Sequence, residues 1–269
     1  MSYVDIPNLA ARLTDRDRLV LDDLEKHRLL STRNIQALHF RVGAGNHLTI
    51  GAATKATTRV LQRLHAHHII SHLQRRIGGV RHGSQGNIWQ LSSTGDRVQR
   101  FFRGEPGRTR YTEPSSLFTS HTLAVSSLVV QLRTLESEPS VELLSVEPEP
   151  QCWREYTGPQ GTVQTLKPDL SAVTASGDFE DHWFIEADEG TEHLPQILAK
   201  CRSYASYAAS GIEQHRLGVF PAVVWVTKDG ARAASLSRAV ASTPGLPVEL
   251  FRFTTTENFI ALITSGGAP

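Results

Sequence analysis

The first regular pattern along the chain is helical. Thr14 is followed three residues later by Asp17, a capping-box-like start, and Leu19, Leu21 and Leu24 then give an apolar face through about Lys26. A second start at Ser31 carries Ile35, Ala37 and Leu38 at helical spacing to about Phe40. A loop holding Gly43, Gly45 and Asn46 leads to a third helix from about Ala52 to His67, with Val60, Leu61 and Leu64 inward. The period then changes. Ile69 to Arg76 and Asn87 to Ser92 read as two strands, and Gly78, Gly79, Gly83 and Gly86 between them permit a tight reversal. Ser93 or Thr94 caps a fourth helix to about Phe102.

The second half reads differently. A helix from about Ser120 to Glu136 has Ala124, Val125, Leu128, Leu132 and Leu135 on one side, with His121 on the same inward face. Three strands are expected after it, VELLSVEPE from Val141, TVQTLKPDLSAV from Thr162 and DHWFIEADE from Asp181, with a hairpin turn at Gly158 to Gly161. A helix over about Leu194 to Ala209 turns Leu194, Ile197, Leu198, Cys201, Ala205 and Ala208 inward, and Tyr204 and Tyr207 pack over the sheet. PAVVWVT from Pro221 is a continuous apolar strand of the buried kind, and a short helix and strand follow between Ala231 and Phe253. Helix, three strands, helix and strand make an α/β layer with a mixed central sheet. Arg103 to Ser116 holds two prolines and two glycines without apolar periodicity. The expected division is therefore a first domain over 1–103, a linker over 104–116 and a second domain over 117–269.

Composition adds one decisive feature. The 269 residues carry a net charge of only +1. Through Tyr111, however, 18 Lys and Arg stand against 8 Asp and Glu, and thereafter 10 stand against 19. A basic module is thus joined to an acidic one, and basic surface is what phosphate binding requires. The two cysteines, Cys152 and Cys201, form no CxxC pair, which disfavours a zinc ribbon and fits a reducing cytoplasm. No apolar run is long enough to cross a bilayer, and the first residues lack the pattern of a signal peptide, so a membrane partner is not expected. His65, His67 and His68 have no carboxylate or cysteine at metal spacing, and no Gly-rich phosphate loop or GxSxG turn is present.

Three short helices followed by a basic, glycine-rich ribbon predict a winged helix-turn-helix that binds double-stranded DNA. The third helix presents Lys55, Thr57, Thr58, Arg59, Gln62 and Arg63, and the wing presents Arg75, Arg76 and Arg81. Arg59, Gln62 and Arg63 are the expected base readers, since Arg suits guanine and Gln suits adenine in the major groove. Some winged helices serve protein contacts instead, which is the alternative for this domain.

Two strand ends concentrate the chemistry of the second half. In LKPDL, strand alternation sends Lys167 and Asp169 to one side; in WFIEADEGTE, Glu186 and Asp188 share a face. Asp169, Glu186 and Asp188 converging at neighbouring strand ends would make a hard-cation site of the kind Mg²⁺ prefers. Lys200, on the following helix, could reach over the strand ends to offset developing negative charge. The strand order with KPD and EAD resembles the PD-(D/E)XK nuclease superfamily. From about Leu13 to Phe259 the chain also resembles the replication-relaxation family of actinobacterial plasmids and integrative elements. That likeness rests on SHTLAVSSLVVQL from Ser120, KPD from Lys167 and EADEGTEHLPQILAKCRSYASY from Glu186. It implies a winged helix joined to a nuclease-like domain, acting in plasmid replication, DNA relaxation or transfer with replication or transfer proteins as partners. One departure stands out: the superfamily lysine, two residues after the acidic position, is replaced by Asp188. Lys200 is the first candidate to replace it and Lys167 the second. The implied activity is Mg²⁺-dependent phosphodiester cleavage, with Asp169, Glu186, Asp188 and Lys200 as its catalytic set. The alternative is a non-catalytic regulator or assembly adaptor whose acidic domain binds protein partners.

Overall fold

The computed structural model describes residues 5–43, 47–73, 87–107, 116–137, 140–158 and 161–266. It divides into two compact units, residues 1–130 and 131–269.

The first unit opens with α1 (Ile6–Ala11) and α2 (Asp15–His27), continues through β1 (Leu30–Ser31), α3 (Thr32–His39) and α4 (Ile50–Ala66), and turns into β2 (Ile70–His72) and β3 (Ile88–Leu91). Two helices close it, α5 (Ser93–Arg103) and most of α6 (Ser116–Thr134). Each helix start has a local cause. Thr14 Oγ1 accepts from the Asp17 N–H while Asp17 accepts from the Thr14 N–H, so two of the orphan donors are satisfied reciprocally. Ser31, Thr49 and Ser92 cap α3, α4 and α5 in the same side-chain-to-backbone manner. The buried stripe of α4 is Ala53, Thr57, Leu61 and Leu64, which meets Val20, Leu21 and Leu24 of α2 in one core. Leu19, expected inward, is 56% exposed, because Val20, Leu21 and Leu24 fill the i, i+1, i+4 positions facing the core. β1, β3 and β2 form a three-stranded antiparallel sheet in that order. Gly95 is fixed by close approach: a Cβ there would lie 2.2 Å from the Ile69 carbonyl oxygen.

Helix α6, placed by its sequence pattern in the second domain, groups with the first unit as far as Val130. Its small polar residues explain this. Ser126 Oγ donates to the Leu29 carbonyl at 3.0 Å, and Asn34 reaches Ser127. A short 3₁₀ turn at Leu135–Ser137 follows it.

The second unit is built on β4 (Glu142–Pro148), the hairpin β5 (Arg154–Thr157) and β6 (Val163–Leu166), then β7 (Leu170–Ser176) and β8 (Phe179–Asp188). Next come α7 (Leu194–Ala209), α8 (Ile212–Leu217), β9 (Ala222–Thr227), α9 (Gly230–Ala241), β10 (Phe251–Thr255) and α10 (Phe259–Thr264). Five strands form a mixed sheet in the order β10-β9-β8-β7-β4: β4, β7 and β8 run antiparallel, while β8, β9 and β10 run parallel. β9 is buried on both sides (Val223, Val224, Trp225 and Val226), as its unbroken apolar run requires. One face is covered by α7 and α9, whose Ile197, Cys201, Tyr204, Leu236 and Val240 pack on Phe184, Val223, Trp225 and Phe251.

Two expectations change here. The single strand predicted from Thr162 is two strands in different sheets, β6 pairing with β5 and β7 with the main sheet. The break is Lys167-Pro168-Asp169, where proline offers no N–H to a ladder and holds its neighbour away from regular pairing. On α7 the buried stripe is Ile197, Cys201, Tyr204 and Tyr207, so Leu194 lies outside at 38% exposure. The tyrosines are buried because each hydroxyl finds a carboxylate, Tyr204 on Glu186 and Tyr207 on Glu213. The helices α1, α8 and α10 lack a distinctive sequence period and were not anticipated. No described helix is long and apolar enough to cross a membrane.

Candidate active site

Sheet register assembles the site. Leu170 of β7 lies opposite Ile185 of β8, so the next row along the pair brings Asp169 and Glu186 together. Asp169 sits just before β7 and its Oδ2 accepts from the Ala187 N–H at 2.8 Å, which fixes the carboxylate against the β8 backbone. Glu186 is 1% exposed and Asp169 6%. Alternation sends Phe184 and Glu186 to the α7 face, where Lys200 and Tyr204 stand one helical turn apart. Both reach Glu186: the Lys200 ammonium donates to Oε2 and the Tyr204 hydroxyl to Oε1. The same ammonium lies 3.8 Å from Asp169 Oδ1. One cation is therefore held between two buried carboxylates at the carboxyl ends of the parallel strands, where open α/β sheets place their ligands.

The electrostatics follow from burial. Desolvation pushes the Glu186 carboxyl up to about 8, and Asp169 adds to the rise, while Lys200 and the Tyr204 hydroxyl oppose it. For Lys200 burial alone would lower the ammonium, yet Glu186 and Asp169 together outweigh it and hold the value above that of an ordinary lysine. Tyr204 is raised well above an ordinary phenol by burial and by Glu186, so its hydroxyl remains a donor. Burial also pushes Cys152 and Cys201 up to about 12, which leaves neither thiol as a nucleophile near neutral pH.

Asp188 is not part of this convergence. Arg232 of α9 takes both of its oxygens, Nε to Oδ2 at 2.7 Å and a terminal nitrogen to Oδ1 at 3.3 Å, and the Gly190 N–H adds a third bond at 3.0 Å. Spacing on β8 gives it the face of Glu186, and the arginine that engages both its oxygens comes from a helix some forty residues later. Among the described residues no group of three or more His, Cys, Asp and Glu side chains is placed to hold a metal ion. The expected three-carboxylate set thus reduces to Asp169 and Glu186. Lys167 is also elsewhere, with its ammonium 4.3 Å from the Trp153 ring centroid. Tyr204 and Arg232 are the two site residues the sequence reading assigned no such role. Tyr204 carried a usable signal, standing four residues after Lys200, whereas Arg232 carried none.

Matching residues 21–223 to a family model described as replication-relaxation covers most of both units. The chain belongs to the replication-relaxation family. Neither a curated protein nor a solved structure matches it. In this family member the residues expected to face DNA separate into four groups. Lys55, Thr58, Arg59 and Gln62 lie on the exposed side of α4. Thr57 is fully buried and its hydroxyl donates to the Ala53 carbonyl at 2.9 Å, so it serves the core rather than a ligand. Its position in the i, i+4 stripe with Ala53 and Leu61 is the reason. Arg63 is surface-accessible but tied to the buried Asp17 carboxylate, so it anchors α4 to α2. Arg75, Arg76 and Arg81 of the expected wing lie outside the described residues.

Proposed function

We propose that this replication-relaxation protein is a DNA-binding protein of a plasmid or integrative element, in which a winged helix delivers a PD-(D/E)XK-type nuclease site to duplex DNA. The observation that carries the reading is the Lys200 ammonium held between Asp169, just before β7, and Glu186 of β8. Strand order, antiparallel β4-β7-β8 joined to a parallel strand through a helix, supports the nuclease-type assignment.

Two hard carboxylates flanking a cation fit Mg²⁺ held by one or two protein ligands with water and phosphate completing the shell. Asp169 and Glu186 would hold it, and Asp188, engaged by Arg232, would not. When bound, the ion supplies Lewis-acid polarisation of a phosphoryl oxygen and a water acidic enough to ionise. The chain's own residues do the rest. Asp169 is oriented by the Ala187 N–H, Tyr204 fixes one oxygen of Glu186, and Lys200 offers a positive charge where negative charge develops on the phosphoryl oxygens. Catalysis of this kind is positioning plus charge stabilisation.

A titration of Mn²⁺ followed by calorimetry tests the metal requirement. Wild type should show one binding event that Asp169→Asn and Glu186→Gln both remove. Absence of binding in the wild type would instead favour the adaptor reading, which draws support from one observation: both oxygens of Glu186 already have protein partners.

For the first unit, the exposed side of α4 predicts that Arg59→Ala weakens duplex binding by about 5- to 150-fold, the value of a base or phosphate contact. Fluorescence anisotropy with a duplex at several salt concentrations measures this. An unchanged affinity and unchanged salt slope would remove α4 from the interface.

A further inference from the structure

The nuclease reading leaves one exposed aromatic unexplained beside the carboxylates. Pro148, the last residue of β4, lies opposite Leu170, so the chain leaving β4 at Glu149 runs alongside Asp169. The segment 149–153 then folds back on itself. Cys152 N–H donates to the Pro148 carbonyl at 3.3 Å and Trp153 N–H to that of Pro150 at 3.1 Å. Cys152 Sγ donates to the Pro168 carbonyl at 3.0 Å, which ties this segment to the residue preceding Asp169. Trp153 is held at its edge, its indole N–H donating to Glu149 Oε1 at 3.2 Å, and Lys167 places its ammonium 4.3 Å from the ring centroid. Trp153 nevertheless stays 37% exposed, whereas Trp89, Trp183 and Trp225 are each 5% exposed or less.

An oriented, part-exposed indole carrying a cation, Lys167, that stands two residues before the candidate catalytic carboxylate Asp169 has a specific chemical use. Indole faces stack on nucleobases, and an ammonium at the same place meets the adjoining phosphate. Bases inside a duplex are stacked on each other and cannot reach an indole, so the occupant must have an unpaired base. The acidic balance of the chain beyond Tyr111, 19 acidic residues against 10 basic, removes long-range attraction as the source of binding and leaves local stacking to supply it. We infer that Trp153 and Lys167 form a binding site for single-stranded DNA that holds an unpaired nucleotide next to Asp169. This rests on the reading of the Asp169–Glu186–Lys200 cluster as a DNA site, and it narrows the substrate to DNA that is unpaired at or beside the scissile phosphate.

The burial pattern of the tryptophans supplies the test. Full-length protein in EDTA, which prevents cleavage, is titrated with an oligothymidylate of about a dozen nucleotides. An excess of blunt-ended, fully paired duplex is present to occupy the first unit. Wild-type tryptophan fluorescence should fall saturably, and the Trp153→Phe protein should show no such fall because its remaining indoles are buried. Anisotropy of a labelled oligothymidylate should show Trp153→Phe retaining most of the affinity, Trp153→Ala losing about 5- to 150-fold, and Lys167→Ala binding more weakly with a shallower salt slope. Circular dichroism of each variant confirms folding. The inference is overturned if wild-type fluorescence does not respond, if Trp153→Ala binds as well as wild type, or if the fully paired duplex alone gives the same quenching. Loss of the nuclease reading is separately visible, since quenching without any plasmid nicking would retain the nucleotide site and discard the catalysis.

Discussion

Lys200→Met should destabilise the protein by about 3–5 kcal/mol near pH 8 and by clearly less near pH 5. The variant keeps most of the packing of the lysine stem and removes only the charge that sits between Asp169 and Glu186. Glu186 is then a buried carboxyl with the Tyr204 hydroxyl as its remaining side-chain donor beside a second carboxylate. Its escape is to hold a proton, and the cost of that escape depends on pH. In the wild type, burial already raises the Glu186 carboxyl from an ordinary 4.5 to about 8. Between those values the folded state binds more protons than the unfolded state, so this group's contribution is intact below about 4.5 and is lost as pH rises toward 8. Removing Lys200 takes away the main opposing influence and extends the loss to higher pH. Glu186→Gln does the reverse, because a neutral amide has no ionisation to suppress. Urea unfolding followed through the buried Trp183 and Trp225, at about pH 5 and about pH 8, reads both effects. An equal loss at the two pH values would show that Lys200 acts through packing alone.

The second large effect is catalytic. Asp169→Asn and Glu186→Gln should each lower the rate of DNA nicking by about a thousandfold or more, about 4 kcal/mol on the barrier. Both substitutions preserve shape and change charge, so they separate the carboxylates' chemistry from their role in the sheet. Asp169 can still accept from the Ala187 N–H as an amide oxygen, and the Tyr204 hydroxyl can still donate to residue 186. What is lost is negative charge that the proposed site would use to hold a divalent cation. Because groups acting as one unit are not additive, the double variant should be little slower than either single one. Duplex affinity should stay unchanged, since the exposed residues of α4 belong to the other unit. Lys200→Ala should cost about a hundred- to a thousandfold, the value of one charge-stabilising donor.

How much of this was legible in the sequence depended on whether the cause was local. The caps at Thr14 and Ser31, the bounds of α7 and the apolar run of β9 are set by residues within a few positions of each other, and the sequence pattern located them. The pairing of Asp169 with Glu186 was also readable, because alternation and strand order bring those ends together once β7 and β8 are neighbours. Lys200 could be nominated because α7 follows β8 directly.

Long-range partners were not legible. Nothing near Asp188 announces Arg232, and nothing near Arg63 announces Asp17, yet each partner decides what its residue can do. Thr57 shows a different limit. A threonine among Lys55, Thr58 and Arg59 looks polar and outward, but its place in the Ala53–Leu61 stripe puts it inside, where its hydroxyl is satisfied by its own helix. The boundary of the units followed similar physics. A proline- and glycine-rich stretch suggested a division before α6, while hydrogen bonds from Ser126 and Asn34 group that helix with the first unit.

The role proposed for Asp169, Glu186 and Lys200 is that of a phosphodiester-cleaving site served by a DNA-binding unit. Supercoiled plasmid incubated with the purified protein in Mg²⁺, beside the Asp169→Asn/Glu186→Gln double variant, tests it most directly. Nicked circles are expected from the wild type in Mg²⁺, none in EDTA and none from the double variant. Plasmid left supercoiled by wild-type protein that binds the same DNA, or nicked equally by the double variant, would contradict it.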